Sequence, residues 1–257
     1  MRSSSHKHAG GARRWRVVTA LLALGLIPTF VPSLHSRTAD AAPSKVLFRD
    51  DFNGTKLDAS KWNPSWFGNG SSPTHPVNSL ENDCYDPRQV SVSGGHLMLT
   101  AVPRACLGHA FASGLVNTHG KFQFVTGTFS ARVWLPGGTG ATIDWPGVWT
   151  DGEHWPNDGE IDLLEGLNGH DCWHVHTVKP TVGNCANAMG GGWHVVKLER
   201  THTTLTFFYD GKRMGTESAG LFANSPHYLV LNLAVSKVIS PPERPAYMLV
   251  DWVQVRT

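Results

Sequence analysis

Trp155-Pro156-Asn157-Asp158-Gly159-Glu160-Ile161-Asp162-Leu163-Leu164-Glu165 is the stretch that decides how this chain folds. On an extended strand, side chains alternate between faces, so Glu160 and Asp162 share one face while Ile161 and Leu163 take the other, toward a core. Strict alternation would then put Leu164 beside the acids and drive Glu165 into the core. A charged carboxylate there costs several kcal/mol unless it is neutralised or paired. One extra residue removes the conflict: a β-bulge near Leu163-Leu164 returns Glu165 to the acidic face. The segment is therefore predicted to be a bulged strand with three carboxyls aligned on one surface.

Working outward, short β-rich runs recur on both sides. They are Val90–Val92, His96–Val102, Lys121–Val125, Gly127–Trp134, Trp193–Leu198, Thr204–Tyr209, Tyr228–Leu233 and Met248–Val255. Several alternate apolar and polar residues with period 2, as half-buried strands do. Gly94-Gly95 and Asp210-Gly211 fall between such runs and read as hairpin turns. No long segment sustains a 3.6-residue amphipathic period. The expectation is an all-β fold of two packed antiparallel sheets, in one domain without internal repeats.

The chain opens with a basic segment (Arg2, Lys7, Arg13, Arg14, Arg16) and an apolar run from Val17 to Ile27, followed by Ala39-Asp40-Ala41. This is the pattern of a cleaved export signal, predicted over residues 1–41, leaving 42–257 as a single domain that is secreted and free of the membrane. Residues 1–41 hold six of the 22 Lys and Arg and one of the 20 Asp and Glu, so the remainder has 16 basic and 19 acidic residues and a formal charge of −3. Without a basic stretch or net positive field, nucleic acid is not an expected partner. Four cysteines, Cys84, Cys106, Cys172 and Cys185, form an even set in an exported chain and read as two disulfides. The sequence-local pairing, Cys84–Cys106 and Cys172–Cys185, is favoured among the three connectivities, and no CxxC spacing supports a metal. Nine of ten tryptophans lie beyond residue 41, four of them between 134 and 155. Half of these suit a core; the others suit a cleft in which pyranose rings stack.

Three neighbouring carboxyls have a chemical use. Hydrolysis of a glycosidic bond with retention needs a nucleophilic carboxylate and a protonated carboxylic acid roughly 5–5.5 Å apart. A carboxyl between them can hydrogen-bond the nucleophile, and crowding raises one pKa so that an acid stays protonated near neutral pH. A solvated acidic strand or a Ca²⁺ site is the alternative reading of the same letters.

Gly159-Glu160-Ile161-Asp162-Leu163-Leu164-Glu165, preceded by Trp145-Pro146 and Trp155-Pro156, resembles the signature of glycoside hydrolase family 16. Phe48–Gly54, Ser113–Thr118, Gly127–Arg132, Leu231–Val235 and Val250–Val255 resemble that family's opening, central and closing strands in the same order. The resemblance implies a concanavalin-like β-jelly-roll sandwich and an endo-acting retaining hydrolase of β-1,3-glucan or a related glucan or galactan. It implies Glu160 as nucleophile, Asp162 as its assisting acid and Glu165 as general acid/base. The two-residue gap between Asp162 and Glu165 is the bulged, laminarinase-like form. By the same resemblance Trp145, Trp149 and Trp155 are cleft aromatics, and Glu81 contacts sugar hydroxyls from an N-x-E-like element one residue longer than usual.

Trp173-His174-Val175-His176 lies where the family places a histidine near the acid/base, and His176 is favoured over His174. The H-x-H spacing also allows a metal pair, but no metal is expected in the catalytic set and no cofactor is required. A structural Ca²⁺ is admitted by resemblance, with Asp251 as ligand. The chain departs from the laminarinase pattern at Ala234-Val235-Ser236-Lys237 and at Lys197-Leu198-Glu199-Arg200, which puts the substrate in question rather than the chemistry. The expected partner is a β-linked polysaccharide, and the expected state is monomeric. A transglycosylase using the same covalent intermediate, and a non-catalytic carbohydrate-binding jelly-roll, are the rival readings; intact Glu160, Asp162 and Glu165 speak against the second.

Overall fold

The computed structural model describes residues 44–257 apart from 68–69, 188 and 239–244, so the predicted export signal lies outside the described residues. Two antiparallel sheets organise the chain. The smaller runs in the order Val182–Asn187, His170–His176, Glu160–Leu167, Trp145–Asp151, Tyr228–Ala234, Leu115–Asn117. The larger runs Lys212–Ser218, Thr204–Tyr209, Gly192–Arg200, Gly127–Leu135, Ala246–Arg256, His96–Ala101, Val90–Ser93, with Val46–Asp50 also paired to Ala246–Arg256. This is the two-layer β-jelly-roll that the sequence led us to expect.

The strands form where they do because one face of each sheet must leave water. Along His96–Ala101 buried and half-buried residues alternate without exception, and Leu97, Leu99 and Ala101 face inward. They join Phe129, Ala131, Val133, Leu198, Phe207 and Val253 in a core shared with Val148, Ile161, Leu163, Leu164, Leu229 and Leu231 of the smaller sheet. Tyr228–Ala234 is buried at every position. Its core face packs between the sheets. Its other face belongs to a second cluster of Tyr85, Leu115, Trp149, Tyr228 and Val230, with Trp66 and Val77 against it. That cluster lies under the cleft.

The turns follow the glycine logic. Gly94-Gly95 and Asp210-Gly211 have positive φ at both positions, the conformation that matches the twist of the strands they join. Lys121–Val125, predicted as a strand, is not one. The amides of Lys121 and Phe122 both bond to the Thr118 carbonyl, and the segment touches a sheet only through the single bridge Phe124–His227. Its alternation arises because Phe122 and Phe124 both turn their rings to the core as a near-parallel pair. Val182–Asn187 and Lys212–Ser218 are strands that the pattern did not single out. Both end a sheet and are largely exposed, so no apolar face marks them.

Both disulfides have the expected pairing, Cys84–Cys106 and Cys172–Cys185. The second joins directly opposed residues of His170–His176 and Val182–Asn187. It fastens an otherwise exposed edge strand to the sheet that bears the site.

Candidate active site

The bulge sits where the buried leucines require it. Against Trp145–Asp151, Asp162 pairs with Trp149 and Leu164 with Val148, leaving Leu163 as the extra residue. Against His170–His176 the register slips between Asp162 and Glu165. Leu163 and Leu164 both enter the core, and Glu165 returns to the side of Glu160 and Asp162. Glu160 and Glu165 face a cleft of about 600 Å³, walled by Trp66, Asn78, Trp145, Trp155, His174 and His176 among others, while Asp162 borders a small recess beneath it.

Each carboxyl is held differently. Trp145 Nε1 donates to Glu165 Oε1 at 3.1 Å, and His174 Nδ1 lies 2.5 Å from Glu165 Oε2. Asp162 is buried and shares a hydrogen bond with Glu160. His176 Nε2 is 3.2 Å from Asp162 Oδ2, at ion-pair distance but without hydrogen-bond alignment, so that oxygen is buried with no hydrogen-bond partner. Burial pushes the pKa of both Glu160 and Asp162 well above the usual carboxylate range. Asp162 raises Glu160 further, Glu165 raises Asp162, and His176 pulls Glu160 partly back. Three carboxyls this close cannot all be ionised. Burial and mutual repulsion therefore favour a proton on the pair Glu160–Asp162.

The other predicted positions divide into two groups. Trp145, Trp155 and His176 line the cleft, with Trp155 59% exposed and free to meet a ligand. Trp149 is buried in the cluster beneath, its indole N–H given to Asn232 Oδ1 at 2.8 Å. Glu81 is 2% exposed and already accepts from the Val77 amide, Asn78 Nδ2 and Tyr85 hydroxyl. Burial lifts its pKa to about 7. It borders a small recess with Trp145, Trp149, Glu160, Asp162, Glu165 and Asn232. The histidine in contact with Glu165 is His174, whereas His176, which was favoured for that place, contacts Asp162 and is oriented by the Thr181 hydroxyl at 2.9 Å.

One cleft residue escaped the sequence reading altogether. Asp151 is 4% exposed and pairs in register with Glu160. Tyr228 donates to its Oδ2 at 2.8 Å while Oδ1 has no partner, and burial raises its pKa to about 7. Period-2 alternation from Trp149 places Asp151 on the cleft face, so the signal was present. The unusual loop start at Ser236-Lys237 also has a structural use: Lys237 Nζ bonds the Ser79 carbonyl and its amide bonds Leu80, tying down the cleft wall.

Asp251, the calcium ligand expected by resemblance, lies between two basic side chains. Its Oδ2 accepts from Arg132 at 2.6 Å, and His96 lies 3.9 Å from Oδ1. Ca²⁺ wants six to eight oxygen ligands.

A sandwich of two antiparallel sheets, with a bulged strand of carboxyls beside a tryptophan-walled cleft, defines a β-jelly-roll. No protein-family model matches the chain. It is 27% identical to a β-glucanase of Rhodothermus marinus, over 86% of this chain and 88% of that protein. It is 26% identical to glucan endo-1,3-β-glucosidase A1 of Niallia circulans, over 83% of this chain but only 38% of that longer protein. In fold it superposes on SCLam, a non-specific endo-β-1,3(4)-glucanase of family 16, with a TM-score of 0.71, 23% identity and coverage of 84% of this chain and 92% of the other. The chain is thus similar in sequence to β-glucanases and shares its fold with an endo-β-1,3(4)-glucanase of family 16.

Proposed function

We propose that the chain is an endo-acting retaining hydrolase of β-glucan, with β-1,3-linked glucan the first substrate to test, and that Glu160, Asp162 and Glu165 carry the reaction. The observation that supports this most directly is the bulge, because it brings two glutamates and an aspartate to one cleft at the cost of an irregular strand. The proposed order of events follows from how each group is held.

Glu160 opens onto the cleft, whereas Asp162 is enclosed, so Glu160 is the carboxylate placed to attack the anomeric carbon. The hydrogen bond with Asp162 fixes the rotamer of Glu160. Glu165, oriented through both oxygens by Trp145 and His174, gives a proton to the leaving oxygen and then takes one from water as the glycosyl–enzyme ester is hydrolysed. Trp155 offers an exposed ring for a pyranose face. Residues 1–41 act as the export signal, and the mature domain works outside the cell as a monomer. Its two disulfides suit an oxidising compartment.

The test separates the two glutamates. Glu160→Gly should abolish hydrolysis, with added azide or formate restoring turnover of an activated α-glycosyl fluoride. Glu165→Ala should retain glycosylation by substrates with good leaving groups, accumulate the intermediate and yield a β-glycosyl azide. Proton NMR of the first product is the independent check: an inverted anomer refutes the two-step reading. Elongated products in place of reducing ends would move the assignment to a transglycosylase.

A further inference from the structure

We propose that Asp162, Glu165, His174 and His176 together form a binding site for a borderline transition-metal cation, Zn²⁺ first, lying directly over the acidic strand. One nitrogen or oxygen from each of the four comes within 4.8 Å of every other. Tetrahedral zinc with bonds of about 2.0–2.2 Å needs its ligand atoms roughly 3.3–3.6 Å apart. The His176–Asp162 contact comes close to this at 3.2 Å, and the His174–Glu165 contact at 2.5 Å must open by about 1 Å as its hydrogen bond gives way to metal bonds.

Three further features point to a cation rather than to a self-contained hydrogen-bond cluster. Asp162 Oδ2 is buried with no hydrogen-bond donor, an unfilled lone pair turned toward the two histidines. His176 is oriented from behind: the Thr181 hydroxyl engages Nδ1 and leaves Nε2 for the cluster, the outer partner that a ligating histidine requires. The strand bearing both imidazoles is fixed on one side by pairing with Glu160–Leu167 and on the other by the Cys172–Cys185 bridge, so the ligands are held before the ion arrives. The two sulfurs near His174 are oxidised to that bridge and do not compete as ligands.

The donor set selects the metal. Two imidazoles and two carboxylates suit Zn²⁺, Cu²⁺ or Ni²⁺, while Ca²⁺ and Mg²⁺ demand oxygen shells that this site lacks. On the catalytic reading above, the ion would hold the acid/base and the support of the nucleophile at once, so metal and glycan exclude each other. The site would act as a reversible off-switch.

The test needs no substrate, so it stands or falls apart from the hydrolase assignment. Zn²⁺ is titrated calorimetrically into the purified, disulfide-intact chain, with Ca²⁺ as control and Co²⁺ as a spectroscopic probe. The expected result is one strong Zn²⁺ site, weak or no heat from Ca²⁺, and the visible absorption of four-coordinate Co²⁺. His174→Gln and His176→Gln should each weaken Zn²⁺ by at least about 100-fold, more than the roughly 10–100-fold that loss of an outer partner costs. Thr181→Val, at an exposed position that tolerates change, should weaken it about 10-fold and keeps the test valid if a histidine variant fails to fold. No Zn²⁺ binding by the unaltered chain, or equal binding by folded His176→Gln and Thr181→Val, would overturn the proposal.

Discussion

Asp151→Asn removes a buried carboxyl while keeping its shape, and its effect on stability should depend on pH with a predictable sign. The side chain is 4% exposed, with one oxygen bonded to Tyr228 and the other unpartnered. Burial raises its pKa from 3.8 to about 7 in the folded protein, partly offset by the Tyr228 hydrogen bond, with Glu153 and Asp158 adding smaller repulsions. Below pH 4 the carboxyl is neutral in both states and costs nothing. Between pH 4 and 7 the unfolded chain releases the proton while the folded chain retains it, so folding loses about 1.36 kcal/mol per pH unit. The full gap corresponds to a penalty on the order of 4 kcal/mol, complete above pH 7. Asparagine carries no such penalty. Its amide still meets the unpartnered position, which adds an offset of about 1–3 kcal/mol that does not vary with pH. Urea unfolding of both proteins from pH 4.5 to 8.5 should therefore show the variant gaining on the parent as pH rises, by several kcal/mol across the range, then levelling. A difference that stays flat, or falls with pH, would refute the claim that burial holds a proton on Asp151.

Two shorter predictions concern the cleft and its bracing. Trp155→Ala should raise KM for a β-glucan oligosaccharide about 2- to 10-fold with little change in kcat, since an exposed stacking ring contributes roughly 0.5–1.5 kcal/mol of binding that does not change at the transition state; a selective loss of kcat would argue against a stacking role. Cys185→Ser should cost about 3 kcal/mol in urea unfolding by freeing a short loop, and peptide mapping of the parent should recover Cys172 joined to Cys185; an unchanged midpoint would show that the bridge braces nothing.

Much of the fold was legible because its core is periodic. His96–Ala101 and Thr204–Tyr209 alternate cleanly, and their hairpin turns carry the residues that positive φ demands. Alternation fails where a strand is buried on both faces or on neither. Tyr228–Ala234 was recognised from its continuous apolar run, but which of its residues face the cleft was not. Val182–Asn187 has no apolar face to betray it and owes its place to the Cys172–Cys185 bridge and to pairing with a neighbour. Lys121–Val125 failed in the opposite sense, since a period-2 pair of phenylalanines can reach a core from a turn as well as from a strand.

The contacts within the site were harder to read than its membership, and the bulge is the reason. Pairing across His170–His176 sets His174 opposite Asp162 and His176 opposite Glu160. If contacts followed direct opposition, those would be the partners. Instead each histidine reaches the next carboxyl along: His174 meets Glu165, and His176 meets Asp162. The extra residue at Leu163 compresses the acidic strand against its neighbour, so that four residues from Asp162 to Glu165 answer to three from His174 to Cys172. Cys172 is committed to its disulfide, so the ring able to reach Glu165 is one step along, on the diagonal. A sequence can show that five such side chains share a face. Which histidine serves which acid depends on how the strand twists through a bulge, and that twist is set by both leucines entering the core. The same burial that dictates the fold therefore also dictates the pairing of proton donors and acceptors in the cleft, and a change at Leu163 or Leu164 would disturb the chemistry without touching a single polar atom.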